Sequence, residues 1–370
     1  MKNIPIDLKV ATGYYSDTYF NRTKEILEKE KYHPKLRMQI FQRNDNACLC
    51  GIDESISILK VGMGKNFKKV KISALRDGDI VKAWETVMII EGDYSLFAHL
   101  ETVYLGALAR GTKVATNVYN CVKAANGKPV LFFPARFDSY TVQSKDGYSY
   151  KVGSTAASGK ISGGVSTDAQ GEWLGIKGMG TVPHGLIAAY KGSTVAAALA
   201  FAETMDPEIK RVVLVDYEND CVKTTLEVAD AMFMNYQKAR DKRYKLFGVR
   251  LDTSGNMVDK SMLTQITGVN PQLVRNVKEA LSERMRACGP RGKRFYSNIG
   301  IIVSGGFDVE KIKIFENLNL PVSAYGVGSS IFRSNFDFTA DIVQRFEGGK
   351  WVRNAKEGRG YTENNRMRKV

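Results

Sequence analysis

From Lys128 onward the sequence alternates between short apolar runs and helical stretches, and this constrains the fold more than any other feature. The runs are KPVLFFPAR, RVVLVDYEND, LFGVRLDTSG, NIGIIVSGG and PVSAYGVGSS. Between them lie CVKTTLEVADAMFMNYQKAR, NPQLVRNVKEALSERMRAC and VEKIKIFENL, which read as helices, as does GLIAAYKGSTVAAALAFAETM after His184, with a break expected at Gly192. Strands that alternate with helices imply right-handed crossovers and a parallel sheet. Every run ends in polar or small residues, and the carboxyl ends of strands are where an α/β barrel keeps its active site. A doubly wound open sheet would do the same, so the pattern alone does not separate the two.

The first 127 residues have a different grammar. DTYFNRTKEILEKEK has helical spacing, with Tyr19, Phe20, Ile26 and Leu27 broadly on one side, and KLRMQIFQ and KVKISAL alternate as half-buried strands do. DYSLFAHLETVYLGALARGTKVATNVYNCVKAAN reads as helical, broken near Gly111. The organisation expected is an α+β domain over residues 1–127 with a helical connection, a barrel over 128–340, and a tail over 341–370 that returns a strand to the first domain. The stretch from Asp138 to Gly185 is so rich in glycine, serine and threonine that it reads as a functional loop.

Two late loops carry the clearest chemistry. Ser304-Gly305-Gly306 and Gly326-Val327-Gly328-Ser329 follow consecutive strands. Glycines let the backbone approach an anion, and the N–H groups of the following turns point at it. Either loop alone is as well explained by a tight turn; together they favour phosphate. A net charge of +15 suits a strongly anionic substrate, although a solvated basic surface would also account for it. With no aromatic-interleaved basic motif, a phosphorylated metabolite is favoured over nucleic acid.

Other strand ends add functional groups. Arg250 and Asp252 are two residues apart, so on a strand they face the same way; with Ser254 they can hold a carboxylate, a pyrophosphate, ribose hydroxyls or magnesium. A structural ion pair is the alternative. Asp216, Glu218 and Asp220 end another strand, and at least one of them is expected to cap the next helix. Arg136 closes VLFFPAR, and Phe133 is placed to stack on an aromatic ring or to sit in the core. His184, in GTVPHG, suits a general base or a nucleophile that accepts a phosphoryl group, whereas His33 and His99 read as structural. The five scattered cysteines read as reduced structural thiols, and no metal site is assigned. No apolar run approaches the ~20 residues of a membrane span, and the amino-terminal stretch lacks a signal-peptide core, so a cytoplasmic protein is expected.

Taken together, TGYYSDTYFNRT, LETVYLGALAR, GVSTDAQG, GTVPHGLIAAY, FGVRLDTSG, SGGFD, YGVGSS and GGKWVRNAKEGR resemble the nicotinate phosphoribosyltransferase family, one of the type II phosphoribosyltransferases. The resemblance implies an irregular α/β barrel with an α+β amino-terminal domain completed by the tail. It implies a homodimer or higher homo-oligomer with shared active sites. It also implies transfer of phosphoribose from phosphoribosyl pyrophosphate to nicotinate in NAD biosynthesis, with Mg²⁺ as cofactor and ATP as co-substrate. Tyr19 and Phe133 match residues that pack on the two faces of the pyridine ring. Thr181 and Arg250 match positions that bind nicotinate or its carboxylate, and Arg136 an arginine facing the anionic substrate. His184 matches the histidine that ATP phosphorylates, and the glycines with Ser329 match the 5-phosphate loops. Asp252 and Asp216 are the candidate catalytic carboxylates. Asn256, in DTSGN, stands where many relatives have aspartate. Quinolinate or nicotinamide as substrate, a phosphate-binding barrel isomerase or aldolase, and a non-catalytic nucleotide- or RNA-binding relative are the competing readings.

Overall fold

The structure is a computed structural model that describes residues 4–370. The chain divides into two compact units. One comprises the residues up to Tyr119, Tyr148–Lys160 and Phe332–Val370; the other comprises Asn120–Gly147 and Ile161–Ile331. Among the described residues no helix is long and apolar enough to cross a membrane.

The first unit begins with α1 (Thr18–Lys29), β1 (Lys35–Phe41), β2 (Ala47–Cys48), α2 (Ile52–Met63), β3 (Lys71–Ala74), β4 (Ile80–Val81), β5 (Thr86–Asp93) and α3 (Glu101–Ala124). β1 and β3 each pair antiparallel with β5. The core gathers Met38, Ile40, Ile56, Leu59, Val87 and Tyr104 among others, all nearly inaccessible to solvent. Helix α1 forms as its spacing predicts, yet none of its residues is buried; Tyr19 and Ile26 are 60% and 59% exposed.

Helix α3 runs unbroken through Gly111, contrary to the expected interruption. That glycine is there for close approach: a Cβ would lie 2.8 Å from the Cys50 carbonyl oxygen, and one on Gly51 would lie 2.6 Å from the Ala107 carbonyl oxygen. Two backbones touch here, and the helix tolerates the glycine because the contact needs it. Gly111→Ala should therefore destabilise the protein by about 1–3 kcal/mol. Gly106→Ala, on the same helix with nothing within 4 Å of its added methyl, should stabilise it by about 0.5–1 kcal/mol. Urea unfolding of the two variants checks the opposite signs.

After β6 (Val130–Phe132), the first strand of the second unit, the chain forms α4 (Gln143–Ser158), which from Tyr148 belongs to the first unit, and then, back in the second, α5 (Asp168–Gly171), α6 (His184–Ala189) and α7 (Thr194–Thr204). The presence of α4 corrects the reading of this stretch as loop. Its small residues serve packing: a Cβ on Gly147 would fall 2.1 Å from the Gln170 carbonyl oxygen, and one on Gly153 2.3 Å from that of Ala115. The break before α7 is where expected, with Lys191 and Gly192 both at positive φ.

Strands and helices then alternate: β7 (Arg211–Leu214), α8 (Cys221–Ala239), β8 (Leu246–Leu251), α9 (Pro271–Ala287), α10 (Pro290–Ser297), β9 (Gly300–Val303), α11 (Val309–Asn317) and β10 (Ala324–Val327). The caps follow from sequence. Asp220, Asn270 and Asp308 each accept a backbone N–H at the start of α8, α9 and α11, and Pro271 opens α9. The strands form a parallel sheet in the order β6-β10-β9-β8-β7. Short segments close it into a ring. Val165 bridges to Phe132, Val182 bridges to Val213, and Met179 N–H donates to the Val165 carbonyl at 2.8 Å. The result is an irregular barrel, and Leu131, Val212, Ile302 and Ala324 pack together from four of its strands.

The tail supplies β11 (Thr339–Glu347), β12 (Lys350–Arg353) and β13 (Arg368–Lys369) to the first unit. The antiparallel sheet there runs β12-β11-β1-β5-β3-β13, so the returning chain completes both of its edges.

Candidate active site

Side chains on a strand alternate between faces, so the residue two beyond a barrel-core residue points the same way. Leu131 leads to Phe133, Val212 to Leu214, Ile302 to Ser304 and Ala324 to Gly326. On β8, Gly248 leads to Arg250 and then Asp252. All six of these successors line one cavity of about 710 Å³ at the carboxyl ends of the strands. Thr181, His184, Arg136 and the glycines of both late loops line it as well.

The loop after β9 is built around positive φ. Gly305 and Gly306 have φ of 84° and 71°, both are exposed, and their N–H groups have no acceptor among the described residues. They are donors held ready for an oxyanion. The amino end of α11 is already capped by Asp308, which accepts from Lys311 N–H at 3.0 Å, so the free donors belong to the loop. Ser330 Oγ donates to the Phe307 carbonyl at 2.7 Å and ties the second loop to the first. Gly326 and Gly328 answer a different need. A Cβ on either would come within 3.0 Å of an aromatic ring, that of Phe133 or of Phe137.

Arg250 is largely buried beneath this cavity. Its guanidinium carbon lies 5.7 Å from the Phe133 ring centroid, and a guanidinium nitrogen is 3.7 Å from Asp252 Oδ2. Burial lowers the Arg250 pKa, with Asp252 and Asp216 opposing, and its Nε has no hydrogen-bond partner among the described residues. A buried, under-satisfied guanidinium beside an aromatic ring suits a planar aromatic carboxylate. Ser304 Oγ donates to Asp252 Oδ1 at 2.7 Å, which fixes that carboxylate.

His184, at the start of α6, lies 3.0 Å through Nε2 from Asp216 Oδ1. Its side chain is 47% exposed and that of Asp216 is 8% exposed. Burial raises the Asp216 pKa, and the hydrogen bond from His184 opposes the rise. A proton held on Nε2 by this carboxylate leaves Nδ1 with its lone pair.

The remaining candidates sit elsewhere. Ser254 is exposed, is not among the cavity's lining residues, and turns its hydroxyl to Asn256 Oδ1 at 2.6 Å. Tyr19 lies on α1 in the other unit. The reading of the residues does not single out Phe137, Ser166, Met179 or Lys311. The first three line the cavity, and Lys311 donates to the Gly305 carbonyl at 3.3 Å. The position of Lys311 in the first turn after the Ser-Gly-Gly loop was the one available signal.

Residues 17–112 match the family model of the quinolinate phosphoribosyl transferase amino-terminal domain. The crystal structure of nicotinate-nucleotide pyrophosphorylase from Pyrococcus furiosus is 29% identical, with a TM-score of 0.75, and the match covers 100% of this chain and 86% of that one. The chain is thus similar over its whole length to a type II phosphoribosyltransferase. At lower identity the same fold is found in human nicotinic acid phosphoribosyltransferase, at 17% identity and a TM-score of 0.61 over 91% of this chain and 76% of that one. It is found too in the nicotinate-nucleotide pyrophosphorylase of Ehrlichia chaffeensis, at 18% and 0.57 over 90% and 95%. No curated protein matches the sequence. No group of three or more His, Cys, Asp or Glu among the described residues could hold a metal ion.

Proposed function

We propose that the protein joins nicotinate to phosphoribosyl pyrophosphate, giving nicotinate mononucleotide and pyrophosphate in NAD biosynthesis, with ATP hydrolysis coupled through His184. The observation that carries the choice of pyridine is the cation complement of the cleft. Arg136 and Arg250 are the arginines that line it, and no lysine does so among the described residues. One of them on the pyridine carboxylate leaves one for the pyrophosphate, which matches a monocarboxylate. Quinolinate carries a second carboxylate that would compete for the same charges. It is the second reading, and the match of residues 17–112 to a quinolinate-enzyme domain favours it.

In this reading Phe133 stacks on the pyridine ring, Arg250 holds the carboxylate and Thr181 borders the ring. Gly305, Gly306, Gly328 and Ser329 hold the 5-phosphate. The pyridine nitrogen lone pair forms the bond to ribose C1 as the bond to pyrophosphate breaks, and the leaving oxygen keeps the electron pair. The protein contributes alignment and charge, the effects that dominate when the transition state resembles an oxocarbenium ion. Mg²⁺ would neutralise the pyrophosphate. Asp252 would hold it, with substrate oxygens supplying the other ligands, as is usual for this ion. His184 Nδ1 attacks the γ-phosphate of ATP, and ADP leaves with the electron pair. The phosphohistidine then adds negative charge beside the pyrophosphate site. A homodimer belongs to this reading as well: α1 exposes Tyr19 and Ile26 without burying either, a composition suited to cover by a second copy.

The test mixes the protein with phosphoribosyl pyrophosphate and Mg²⁺, adds nicotinate, quinolinate or nicotinamide in turn, with and without ATP, and follows mononucleotide and carbon dioxide. ATP-stimulated product is expected from nicotinate, with none from quinolinate and only slow turnover of nicotinamide. Product with carbon dioxide release from quinolinate alone would replace this reading with the second.

A further inference from the structure

The barrel unit holds a second cavity, at the opposite ends of its strands. It encloses about 420 Å³, within the range of small-molecule sites. Its walls come from the carboxyl end of α8, the start of β8 and helix α10. Leu246, which opens β8, lines this cavity, while Arg250 on the same strand lines the catalytic one. Four steps of extended chain put about 13 Å between those two positions.

The lining has one charge sign. Arg240, Lys245, Arg291 and Arg294 all border the cavity and no aspartate or glutamate does. None of the four side chains makes an ion pair or hydrogen bond among the described residues, so neither an acid nor the terminal carbonyls of α8 account for them. Gathering four like charges around one concavity costs stability through repulsion, unless an anion offsets it. The other wall is aromatic. The Phe233 and Phe295 ring centroids are 5.1 Å apart, those of Tyr236 and Phe295 5.9 Å, and Lys245 Nζ lies 5.7 Å from the Tyr236 ring.

We propose that this cavity binds a nucleoside phosphate, its phosphate among the four cations and its base against Tyr236 and the neighbouring rings. Arginine recognises phosphate through paired N–H donors, and an aromatic face accepts a base by stacking. The site is independent of which pyridine the catalytic cleft accepts.

Isothermal titration of the full-length protein tests this with AMP as probe, and with adenosine and inorganic phosphate as its two halves. AMP should bind at least about tenfold more tightly than either half. The exposed pair Arg291→Glu/Arg294→Glu should weaken AMP binding by at least about tenfold while leaving phosphoribosyl transfer unchanged. Tyr236→Leu should weaken AMP but not phosphate. Should AMP bind the double variant as tightly as the wild type, the nucleotide occupies only the catalytic cleft and the proposal fails. It fails equally if phosphate binds as tightly as AMP, or if only a single-stranded oligonucleotide binds, with a steep salt dependence.

Discussion

Replacing Arg250 by alanine should lower kcat/KM for nicotinate by about 10²- to 10³-fold, the largest loss expected of any single substitution in the cleft. The size follows from burial. The Arg250 side chain is 17% exposed and its Nε lacks a partner among the described residues, so an incoming carboxylate meets a cation that water does not screen well. Removing it would leave the substrate carboxylate desolvated against Phe133 without compensation. The loss should fall on the pyridine substrate and leave the dissociation constant for phosphoribosyl pyrophosphate nearly unchanged. Arg250→Lys should lie between the two, since it keeps the charge but loses the planar pair of donors. Nicotinamide has no carboxylate, so its use should change little in either variant. Steady-state kinetics with both pyridines, alongside a thermal melt to confirm folding, decide the matter. An equal loss for nicotinate and nicotinamide would remove Arg250 from carboxylate recognition.

If ATP acts through His184 as proposed, His184→Ala should reduce the stimulation of turnover by ATP to a ratio of about one while leaving a measurable rate of uncoupled transfer, because a phosphohistidine there would act beside the pyrophosphate and not at the ribose carbon. The protein incubated with γ-labelled ATP should carry an acid-labile phosphate that the variant lacks. Persistent ATP stimulation in His184→Ala would sink the coupling role. The hydrogen bond to Asp216 gives this step a pH dependence with a definite sign. The Asp216 pKa is raised by burial, so its carboxylate takes up a proton at a higher pH than an ordinary aspartate would. The carboxylate that orients His184 is then present on the alkaline side and is lost as pH falls through that raised value. Labelling by ATP should decline toward acid. In Asp216→Asn it should be slower at neutral pH, with the part of the acid decline that belongs to Asp216 removed.

Much of the cleft is legible in the sequence because strands obey a period of two and because glycine has few reasons to recur. Arg250 and Asp252 share a face by spacing alone, and the structure places both on the cavity wall. The paired glycine loops are equally readable, since positive φ at Gly305 and Gly306 is what a turn with outward N–H groups demands. Asp220 as a helix cap follows from the same local chemistry. The meeting of His184 with Asp216 is not legible, since 32 residues separate them and only the adjacent placement of α6 and β7 brings Nε2 within 3.0 Å of the carboxylate. The lining role of Phe137 belongs to the same class, for its ring packs at Gly328 in another loop.

The two corrections share one cause. Gly111 looks like a helix break and the stretch around Gly147 and Gly153 looks like loop because glycine propensity is a local quantity. In the fold each of these glycines lies against a backbone carbonyl of a distant segment, so the residue that weakens an isolated helix is the one that lets this helix pack. The sequence by itself determined most of the later strands and helices, their order and the parallel character of the sheet they form. Those depend on periodicity, capping and turn chemistry, which act over a few residues. Only the tertiary structure decided that the sheet closes through Val165, Met179 and Val182, which side chains share a cavity, and where four cations gather without an acid. Those depend on contacts between residues far apart in the chain, which no local pattern encodes.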